Sequence, residues 1–383
     1  MKKEIIFISH EASRTGAPIL LLQFLRWFKK NTDISFRIVL AVGGDLEAEF
    51  TQLAPTLVFE QSLNYKLSEK IKKRIFPNDT STRLKQWLGD ANIGLIYSNT
   101  IVNGNILECL KFLNCAVISH VHELEYIIQC YGLDNLKKIQ KYTSYYIACA
   151  DAVKANLVEN HNISCSTISV VHEFIPIDSV KASSLDSRIL KNELNLPEQT
   201  FIVGGSGSSS DWRKGADLFI QVAYIVKNKA KDIPIQFVWI GRHDKGIEYL
   251  ILQQDIMKAG LENYIHFIGS KSNPLDYFAG LDVFTLTSRE DPYPLACLEN
   301  ASLGTPIICF EKSGGEPEFV ENDCGFVIPY LDLNTMADCI IELYCLPELR
   351  QKLGDNARKK VADRHSLEIT ASKILEIIEH QAS

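Results

Sequence analysis

The sequence predicts an α/β fold with two domains, each built on a parallel β-sheet covered by helices. The chain has 383 residues, which is too long for one ordinary core and about right for two domains. Short apolar runs rich in β-branched residues alternate with helical patterns throughout, as expected of right-handed strand–helix–strand units. A polar stretch near residues 176–200 contains no strand pattern, and the alternation restarts after it.

The predicted strands are apolar enough to be buried on both faces of a sheet. In chain order they are Glu4–Ser9, Arg37–Val42, Thr56–Phe59, Gly94–Ser98, Ala116–His120, Tyr145–Ala150, Ile168–His172, Phe201–Gly204, Ile235–Ile240, Ile265–Ile268, Val283–Leu286, Pro306–Phe310 and Gly325–Ile328. Helical periodicity between them is clear at Ile19–Phe28 and Ala216–Val226, and a last helix is predicted near Ser366–His380. This order of elements predicts parallel sheets in both halves of the chain.

The break in the pattern sets the predicted domain boundaries. We predict an N-terminal domain over residues 1–178, a C-terminal domain over residues 179–365 and a C-terminal helix over residues 366–383. A return of that helix to the N-terminal domain is one alternative for its position. Open parallel sheets bind ligands beyond the carboxyl ends of their strands, so functional residues are expected in the loops that follow strands.

Composition and charge exclude several classes of protein. Apolar residues make up 46% and charged residues 23%, which is typical of a globular protein, and a net charge of −7 argues against nucleic acid as a partner. The apolar run Ile5–Ile8 is too short for a signal peptide, and no stretch approaches the roughly 18 apolar residues that span a bilayer. The ten cysteines are scattered without a Cys-x-x-Cys pair, which predicts reduced thiols in a cytoplasmic protein.

The most specific local pattern follows the strand predicted to end at Leu286. Asp291 and Glu299 are eight residues apart, and a predicted helix begins between them near Leu295. Two carboxylates in this arrangement can accept hydrogen bonds from different hydroxyl groups of one ligand. The free N–H groups at the start of the helix suit a phosphate. The segment predicts a site for a ligand with hydroxyl and phosphate groups, and the alternative is an ordinary acidic loop.

A second pattern is the Gly/Ser loop Gly205–Gly215, which ends with Arg213 and Lys214. Glycines let backbone N–H groups approach a ligand closely. Two adjacent cations can neutralise a pyrophosphate group as it departs. The alternative is a helix N-terminus with solvated charges.

Three further loops follow predicted strands. Gly314 and Gly315 precede Glu316 in a turn that permits positive φ and close approach to a ligand. Gly16 lies between the first predicted strand and the first predicted helix, and His122 lies just beyond the end of the fifth predicted strand. Plain turns at the glycines and a structural histidine are the alternatives.

These motifs, in this order, resemble those of the retaining GT-B glycosyltransferases of family 4, the glycosyl transferases group 1. The resemblance covers nearly the whole chain and implies two Rossmann-like β/α/β domains that face each other across a cleft. It implies a hexosyltransferase-type enzyme that takes a sugar from a nucleotide-sugar donor. The sugar would pass to a hydroxyl of a saccharide or lipid-linked acceptor in polysaccharide or glycoconjugate biosynthesis.

The resemblance also implies roles for residues of the C-terminal domain. Lys214 matches the lysine that binds the donor diphosphate, and Arg213 would replace an earlier family arginine that this sequence lacks. The backbone near Pro294 and Leu295, next to Tyr293, would meet the phosphates.

The matching acidic residues would hold the two sugars of the donor. Asp291 stands where the family usually has a glutamate that contacts the transferred sugar, and Glu290 is the alternative for that role. Glu299 would hold the nucleotide ribose, and the loop Gly314–Glu316 would lie beside the transferred sugar.

In the N-terminal domain, the resemblance gives Gly16 a role in capping the donor diphosphate and places His122 at the reacting face of the sugar. The residues assigned to catalysis are His122, Asp291 and Lys214. The segment His172–Phe174 receives no role. No Asp-x-Asp pattern, typical of metal-dependent glycosyltransferases of the other main fold, occurs in the sequence. We therefore predict a metal-independent enzyme without a cofactor.

Residues 66–88 contain both basic and apolar side chains, and this pattern has two possible interpretations. The segment would contact the inner face of a membrane peripherally and so reach a lipid-linked acceptor, or it is a solvated helix face above the core. Two other functions stay open: a catalytically silent nucleotide-sugar-binding subunit, and a GT-B nucleotide-sugar epimerase.

Overall fold

The computed structural model describes residues 3–60, 80–176, 185–242 and 246–382. The chain forms two compact units, Met1–Glu173 with Leu367–Ser383, and Phe174–Ser366. The boundary predicted between residues 178 and 179 falls outside the described residues, and the two units divide five residues earlier, after Glu173.

In its described part, the first unit contains a parallel sheet of seven strands in the order β3-β2-β1-β4-β5-β6-β7. The strands are β1 (Glu4–Ser9), β2 (Phe36–Val42), β3 (Thr56–Glu60), β4 (Ile93–Asn99), β5 (Ala116–Val121), β6 (Tyr145–Ala148) and β7 (Ile168–Val170). The helices between them are α1 (Gly16–Asn31), α2 (Glu47–Leu53), α3 (Thr80–Leu88), α4 (Gly104–Leu110), α5 (Glu125–Tyr131), α6 (Leu133–Tyr142) and α7 (Asp151–Glu159). The register pairs Asn99 with His120, so β4 and β5 end at the same edge of the sheet.

The second unit, over the same described ranges, contains a parallel sheet of six strands in the order β10-β9-β8-β11-β12-β13. The strands are β8 (Phe201–Ser206), β9 (Ile235–Ile240), β10 (Ile265–Phe267), β11 (Val283–Leu286), β12 (Ile307–Phe310) and β13 (Gly325–Ile328). The helices are α8 (Ile189–Glu193), α9 (Ala216–Lys229), α10 (Ile247–Lys258), α11 (Pro274–Phe278), α12 (Leu295–Leu303), α13 (Glu316–Val320), α14 (Leu333–Cys345) and α15 (Pro347–Arg364). Strands β8, β11 and β12 are neighbours, so the loops that follow them share one edge.

The last helix, α16 (Leu367–Ala382), belongs to the first unit, although it follows the second unit in the chain. It packs against α1 and against strands β4 and β5. Its buried residues include Ile374 and Ile378, which lie one turn apart on the apolar face.

The predicted α/β fold with two parallel sheets is confirmed, and a strand occupies each predicted apolar run. The prediction was too long at Ile168–His172, where β7 ends at Val170. In the described part of the sheet, β7 is an edge strand that pairs with β6 over three positions, and an apolar sequence does not show where a partner strand ends. Helix α12 begins at Leu295, as predicted.

Aromatic packing sets the position of the helix that follows the Gly/Ser loop. Phe219 of α9 contacts Phe237 and Trp239 of β9, with ring centroids 5.3 and 5.2 Å apart. A Cβ atom on Gly205 would lie 2.8 Å from the Trp239 ring, so this glycine allows strand β8 to pass beneath the rings. The loop between β8 and α9 therefore starts and ends on a rigid core.

A close backbone contact sets the position of α12. Gly354 of α15 lies directly against the carbonyl oxygen of Gly304, the residue that ends α12 with a φ of +87°. We expect Gly354→Ala to destabilise the protein by about 2 kcal/mol, because its Cβ would collide with this backbone. Helix propensity alone would give a gain of about 1 kcal/mol. Chemical denaturation would measure the difference, with the exposed Lys352→Ala of the same helix as control. Equal or higher stability of Gly354→Ala would contradict the close contact.

Candidate functional site

In the Gly/Ser loop, the Lys214 side chain lies close to the backbone of Gly207. Gly207 has a φ of +147°, and a Cβ atom there would lie 2.9 Å from the Lys214 side chain. The Gly207 carbonyl accepts a hydrogen bond from the Trp239 indole at 3.0 Å. The absence of a side chain at Gly207 thus gives Lys214 room to lie along the loop.

A short 3-10 turn, Trp212–Lys214, ends the loop. Asp211 caps it by accepting a hydrogen bond from the Arg213 backbone N–H at 3.0 Å. Gly215 follows with a φ of +68°, and a Cβ atom there would collide with the Thr287 carbonyl oxygen. The Thr287 hydroxyl donates to the Gly215 carbonyl at 2.9 Å. The turn is therefore held against the end of strand β11.

The structure brings Lys214 and Asp291 together. The Lys214 Nζ lies 2.6 Å from Asp291 Oδ2, and the Ser288 hydroxyl donates to the same oxygen at 3.2 Å. Asp291 is buried, with 4% of its surface exposed, whereas the Lys214 side chain is partly exposed. Of the two adjacent acidic residues, Asp291 rather than Glu290 contacts Lys214. The cation suited to a phosphate and the carboxylate suited to a sugar hydroxyl thus form one pair.

Backbone hydrogen bonds join the Asp291 loop to the second glycine turn. The Asp291 N–H donates to the Ser313 carbonyl at 2.6 Å, and the Gly315 N–H donates to the Pro292 carbonyl at 2.9 Å. Asp291 and Gly314 also form an isolated parallel bridge. The Asp291 loop and the second glycine turn, which are separate in the sequence, are therefore joined.

Glu316 is buried beneath these joined loops. Its side chain is completely buried, and burial raises the pKa of the Glu316 carboxyl well above its usual range. Burial therefore favours the protonated, neutral form of this carboxyl. The sequence assigned the loop Gly314–Glu316 to a ligand, but in this structure Glu316 has no exposed side-chain surface for that contact. A contact from this loop would come from Gly314, which is partly exposed.

Glu299 projects from α12, and its surface is partly exposed. Burial raises the pKa of its carboxyl to about 7. Leu295 begins this helix after Pro294, whose φ of −73° directs the chain into the first turn. Tyr293 is buried, and its hydroxyl contacts the ring of His365 at 3.3 Å.

Two arginines hold the loop in place. Arg213 forms a 2.6 Å ion pair with Asp211, so its guanidinium group is committed within the loop. Arg289 contacts both carboxylate oxygens of Asp217, at 2.9 and 2.6 Å, and lies 5.1 Å from the centre of the Trp212 ring. Sequence reasoning missed the pairing of Arg289 with Asp217, because a separation of 72 residues carries no local signal.

In the first unit, Gly16 is the first residue of α1, and an ordered turn precedes it. Ser13 and Thr15 donate hydrogen bonds to Glu11 Oε1 at 2.5 and 3.3 Å. Interaction with His10, together with these two hydroxyls, lowers the pKa of Glu11 to about 2. The Glu11 carboxylate in the loop before Gly16 is therefore ionised at neutral pH.

His122 follows strand β5 of the first sheet. Its two side-chain partners are the last residue of β4 and a residue after β7. Its Nδ1 lies 2.6 Å from Glu173 Oε1, and its Nε2 lies 3.0 Å from Asn99 Oδ1. Glu123 accepts hydrogen bonds from the His122 and Ile101 backbone N–H groups, at 3.0 and 3.1 Å. Sequence reasoning found His122 and assigned no role to Glu173, which lies 51 residues away along the chain.

Among the described residues, His120, His122 and Glu173 have ligand atoms within 4.8 Å of one another, close enough to suggest a metal ion. However, two ligands of a tetrahedral Zn²⁺ ion stand about 3.3 Å apart. The 2.6 Å between His122 Nδ1 and Glu173 Oε1 is the length of a hydrogen bond. The distance fits a shared proton, and we assign no metal here.

Most of the basic segment 66–88 lies outside the described residues, which resume at α3. In α3, Leu84 and Leu88 are buried, and Lys85 lies 5.0 Å from the centre of the Phe112 ring. This described part packs its apolar side into the core. A search of the described helices finds none with the length and hydropathy needed to cross a membrane.

Known proteins resemble this chain in sequence and in fold. Residues 186–360 match the family model described as glycosyl transferases group 1. The capsular polysaccharide biosynthesis glycosyltransferase CapM of Staphylococcus aureus is 24% identical over 189 residues, which are 48% of each chain. The O-antigen biosynthesis glycosyltransferase WclY of Escherichia coli is 31% identical over 118 residues, which are 31% of each chain. The chain thus spans less than half the length of these relatives.

A solved structure matches the chain over a longer range. Anabaena Alr3699/HepE in complex with UDP-glucose has a TM-score of 0.81 at 19% identity, and the match covers 98% of this chain and 99% of that one. At this identity, the likeness shows the fold alone. The comparisons therefore support the glycosyl transferases group 1 family through residues 186–360 and show that the chain has a two-domain GT-B fold.

Proposed function

We propose that this chain is a retaining glycosyltransferase that transfers a sugar from a nucleotide-sugar donor to a hydroxyl of a saccharide or lipid-linked acceptor. The pairing of Lys214 with Asp291 carries the proposal, because both lie within the segment that matches the family. CapM and WclY are named for capsular polysaccharide and O-antigen biosynthesis, and the Anabaena protein binds UDP-glucose. These relatives support a role in polysaccharide or glycoconjugate biosynthesis.

In the proposed reaction, donor binding changes the partner of Lys214. Its Nζ contacts Asp291 at 2.6 Å in this structure. A diphosphate carries more negative charge than one carboxylate, so it would draw Nζ to its oxygens and leave Asp291 to accept from a sugar hydroxyl. Lys214 would then stabilise the charge that develops on the departing diphosphate. Arg213 would add positive charge from its position on Asp211.

The other donor contacts are proposed around this pair. The transferred sugar would lie against Gly314, with the buried Gly315 and Glu316 supporting the loop. Glu299 would accept hydrogen bonds from the ribose hydroxyls. The backbone N–H groups at the start of α12, around Pro294 and Leu295 and next to Tyr293, would meet the phosphates.

In the first unit, we assign Gly16 to the donor diphosphate and His122 to the reacting sugar. Retention follows when the acceptor attacks the face from which the diphosphate leaves. The bond from the acceptor oxygen to the anomeric carbon forms while the bond to the phosphate oxygen breaks. The acceptor proton passes to that departing oxygen. We propose that no metal takes part, because Lys214 and Arg213 supply positive charge.

The proposed location is the cytoplasm. A lipid-linked acceptor would require peripheral contact with the inner face of the membrane, and residues 66–88 are the proposed contact.

A panel of nucleotide sugars tests the proposal, with EDTA present and with pooled saccharide and lipid-linked acceptors. We expect one donor to release nucleoside diphosphate and to yield a glycosylated acceptor. Calorimetric binding without turnover under all these conditions would favour the silent subunit, and an isomerised sugar nucleotide would favour the epimerase. Loss of activity in EDTA that Mn²⁺ restores would contradict metal independence. Failure to bind any nucleotide sugar would overturn the donor site.

The raised pKa of Glu299 predicts pH-dependent donor binding. The carboxylate accepts ribose hydrogen bonds best when it is ionised, and its pKa is about 7. Binding should therefore weaken as pH falls, with a Kd about tenfold higher at pH 6 than at pH 8. A nucleotide sugar is the suitable ligand, because its substituted diphosphate does not titrate in this range. Calorimetry would measure Kd for the wild type and for Glu299→Gln, which should lose the dependence. The exposed Glu262→Gln is the matched control, and a flat wild-type profile would contradict the role of Glu299.

A further inference from the structure

Both ring nitrogens of His122 have oxygen partners. Asn99 donates from its Nδ2 to the Ala17 carbonyl at 2.9 Å, so its amide oxygen must face the ring. The His122 Nε2, 3.0 Å from this oxygen, therefore carries a proton. The Nδ1 lies 2.6 Å from a Glu173 oxygen, a distance typical of a charge-assisted hydrogen bond. The contacts thus fit a ring that donates from both nitrogens.

The charges around the ring favour the same form. The side chains of His122 and Glu173 are 7% and 4% exposed, so water screens their pairing little. Burial alone disfavours a charged ring, but the charge and hydrogen bond of Glu173, with the charge of Glu123, raise the pKa of His122 above its usual value. His120, whose ring centre lies 4.0 Å away, stays neutral because burial holds its pKa well below the usual value. Tyr97 contacts His120 and stays protonated, because burial and the Glu173 charge raise its pKa.

We propose that Glu173 and Asn99 are positioning residues that hold His122 as a doubly protonated ring, and that His122 is therefore not the general base of the transfer. An imidazolium ring has no lone pair that could accept the acceptor proton. The part of this inference that concerns the role of His122 in the transfer rests on the proposed function. Through Asn99, the ring is also tied to Ala17, the neighbour of Gly16 at the start of α1.

Nuclear magnetic resonance of ¹⁵N-labelled histidine tests the protonation without an activity assay. The His122 signals would be assigned by their loss in His122→Asn. We expect both ring nitrogens to be protonated at pH 6.5 in the wild type and the pKa to fall by about one unit or more in Glu173→Gln. Glu125→Gln is the matched control, because it removes the carboxylate that contacts His161 at 2.7 Å. A neutral wild-type ring at pH 6.5 would overturn the proposal, even if Glu173→Gln failed to fold.

The pH profile of kcat, measured at saturating donor so that the titration of Glu299 in donor binding does not contribute, tests the role in the reaction. We expect activity to fall as pH rises through the pKa of His122, and this limb to move down by about one pH unit in Glu173→Gln. The loss of activity in that variant would then be larger at pH 8 than at pH 6 and would reach at most about tenfold, with partial rescue in Glu173→Asp. A rise of activity through the pKa of His122 would identify a general base and overturn the proposal, as would an equal loss at every pH. A protonated ring in a protein without turnover would instead contradict the proposed function alone.

Discussion

Lys214→Ala should lower the turnover of the nucleotide-sugar donor by about 10²–10³-fold, the effect of losing one group that stabilises developing charge in a transition state. Lys214 is the cation paired with Asp291 at the joined loops, and its stem has room only because position 207 is a glycine. Release of nucleoside diphosphate at saturating donor would measure the effect. Arg213→Ala should lower turnover by a smaller factor, because the Arg213 guanidinium is already paired with Asp211.

A double variant separates catalysis from stability. Lys214→Ala removes the cation beside Asp291, a carboxylate with 4% exposure, and should cost about 1–2 kcal/mol of stability. Lys214→Ala combined with Asp291→Asn removes both charges and should recover most of that stability without recovering turnover. If the double variant recovered turnover, or if Lys214→Ala left turnover within a factor of two, the assignment of Lys214 to the diphosphate would be wrong.

Gly215→Ala should both destabilise the protein and abolish donor binding. The residue has a φ of +68°, and a Cβ atom would collide with the Thr287 carbonyl oxygen. The left-handed conformation costs about 1–2 kcal/mol for a residue with a side chain, and the collision adds about 1–3 kcal/mol. Relief of the collision would move the preceding Lys214 away from Asp291. Denaturant unfolding and calorimetric titration with the donor would measure the two effects.

Gly89→Ala is the matched control for this change. Gly89 has a similar φ of +54°, but among the described residues, its chain neighbours apart, no contact within 4 Å meets a Cβ atom placed there. It should show the cost of the backbone conformation, about 1–2 kcal/mol, with donor binding unchanged. Equal losses of stability in the two variants, with donor binding retained in Gly215→Ala, would contradict the contact with Thr287.

The elements of this fold could be predicted because their signals are local. A buried parallel strand needs a short run of apolar, β-branched residues, and strands such as Glu4–Ser9 and Val283–Leu286 show it in the sequence itself. The start of α12 at Leu295 was equally readable. The end of strand β7 (Ile168–Val170) could not be predicted, because it depends on the partner strand.

Residues of the site could be predicted in part. The glycines, Lys214 and Asp291 stand in loops that follow strands, where parallel sheets present their ligand-binding residues. The sequence did not reveal that Glu316 is completely buried, because a two-glycine turn suggests an open loop. It also did not reveal a role for Glu173, because a carboxylate after a short edge strand has no local pattern.

The sequence by itself determined the α/β class, the elements along the chain and the loops that carry the candidate residues, since these depend on short-range backbone preference and apolar periodicity. Only the tertiary structure decided that Lys214 contacts Asp291, 77 residues away, that His122 lies between Glu173 and Asn99, and that burial raises the pKa of Glu299 to about 7. The order of strands in each sheet brings distant loops to one edge. Desolvation and charge pairing depend on which groups meet there, and these neighbours are not adjacent in the chain.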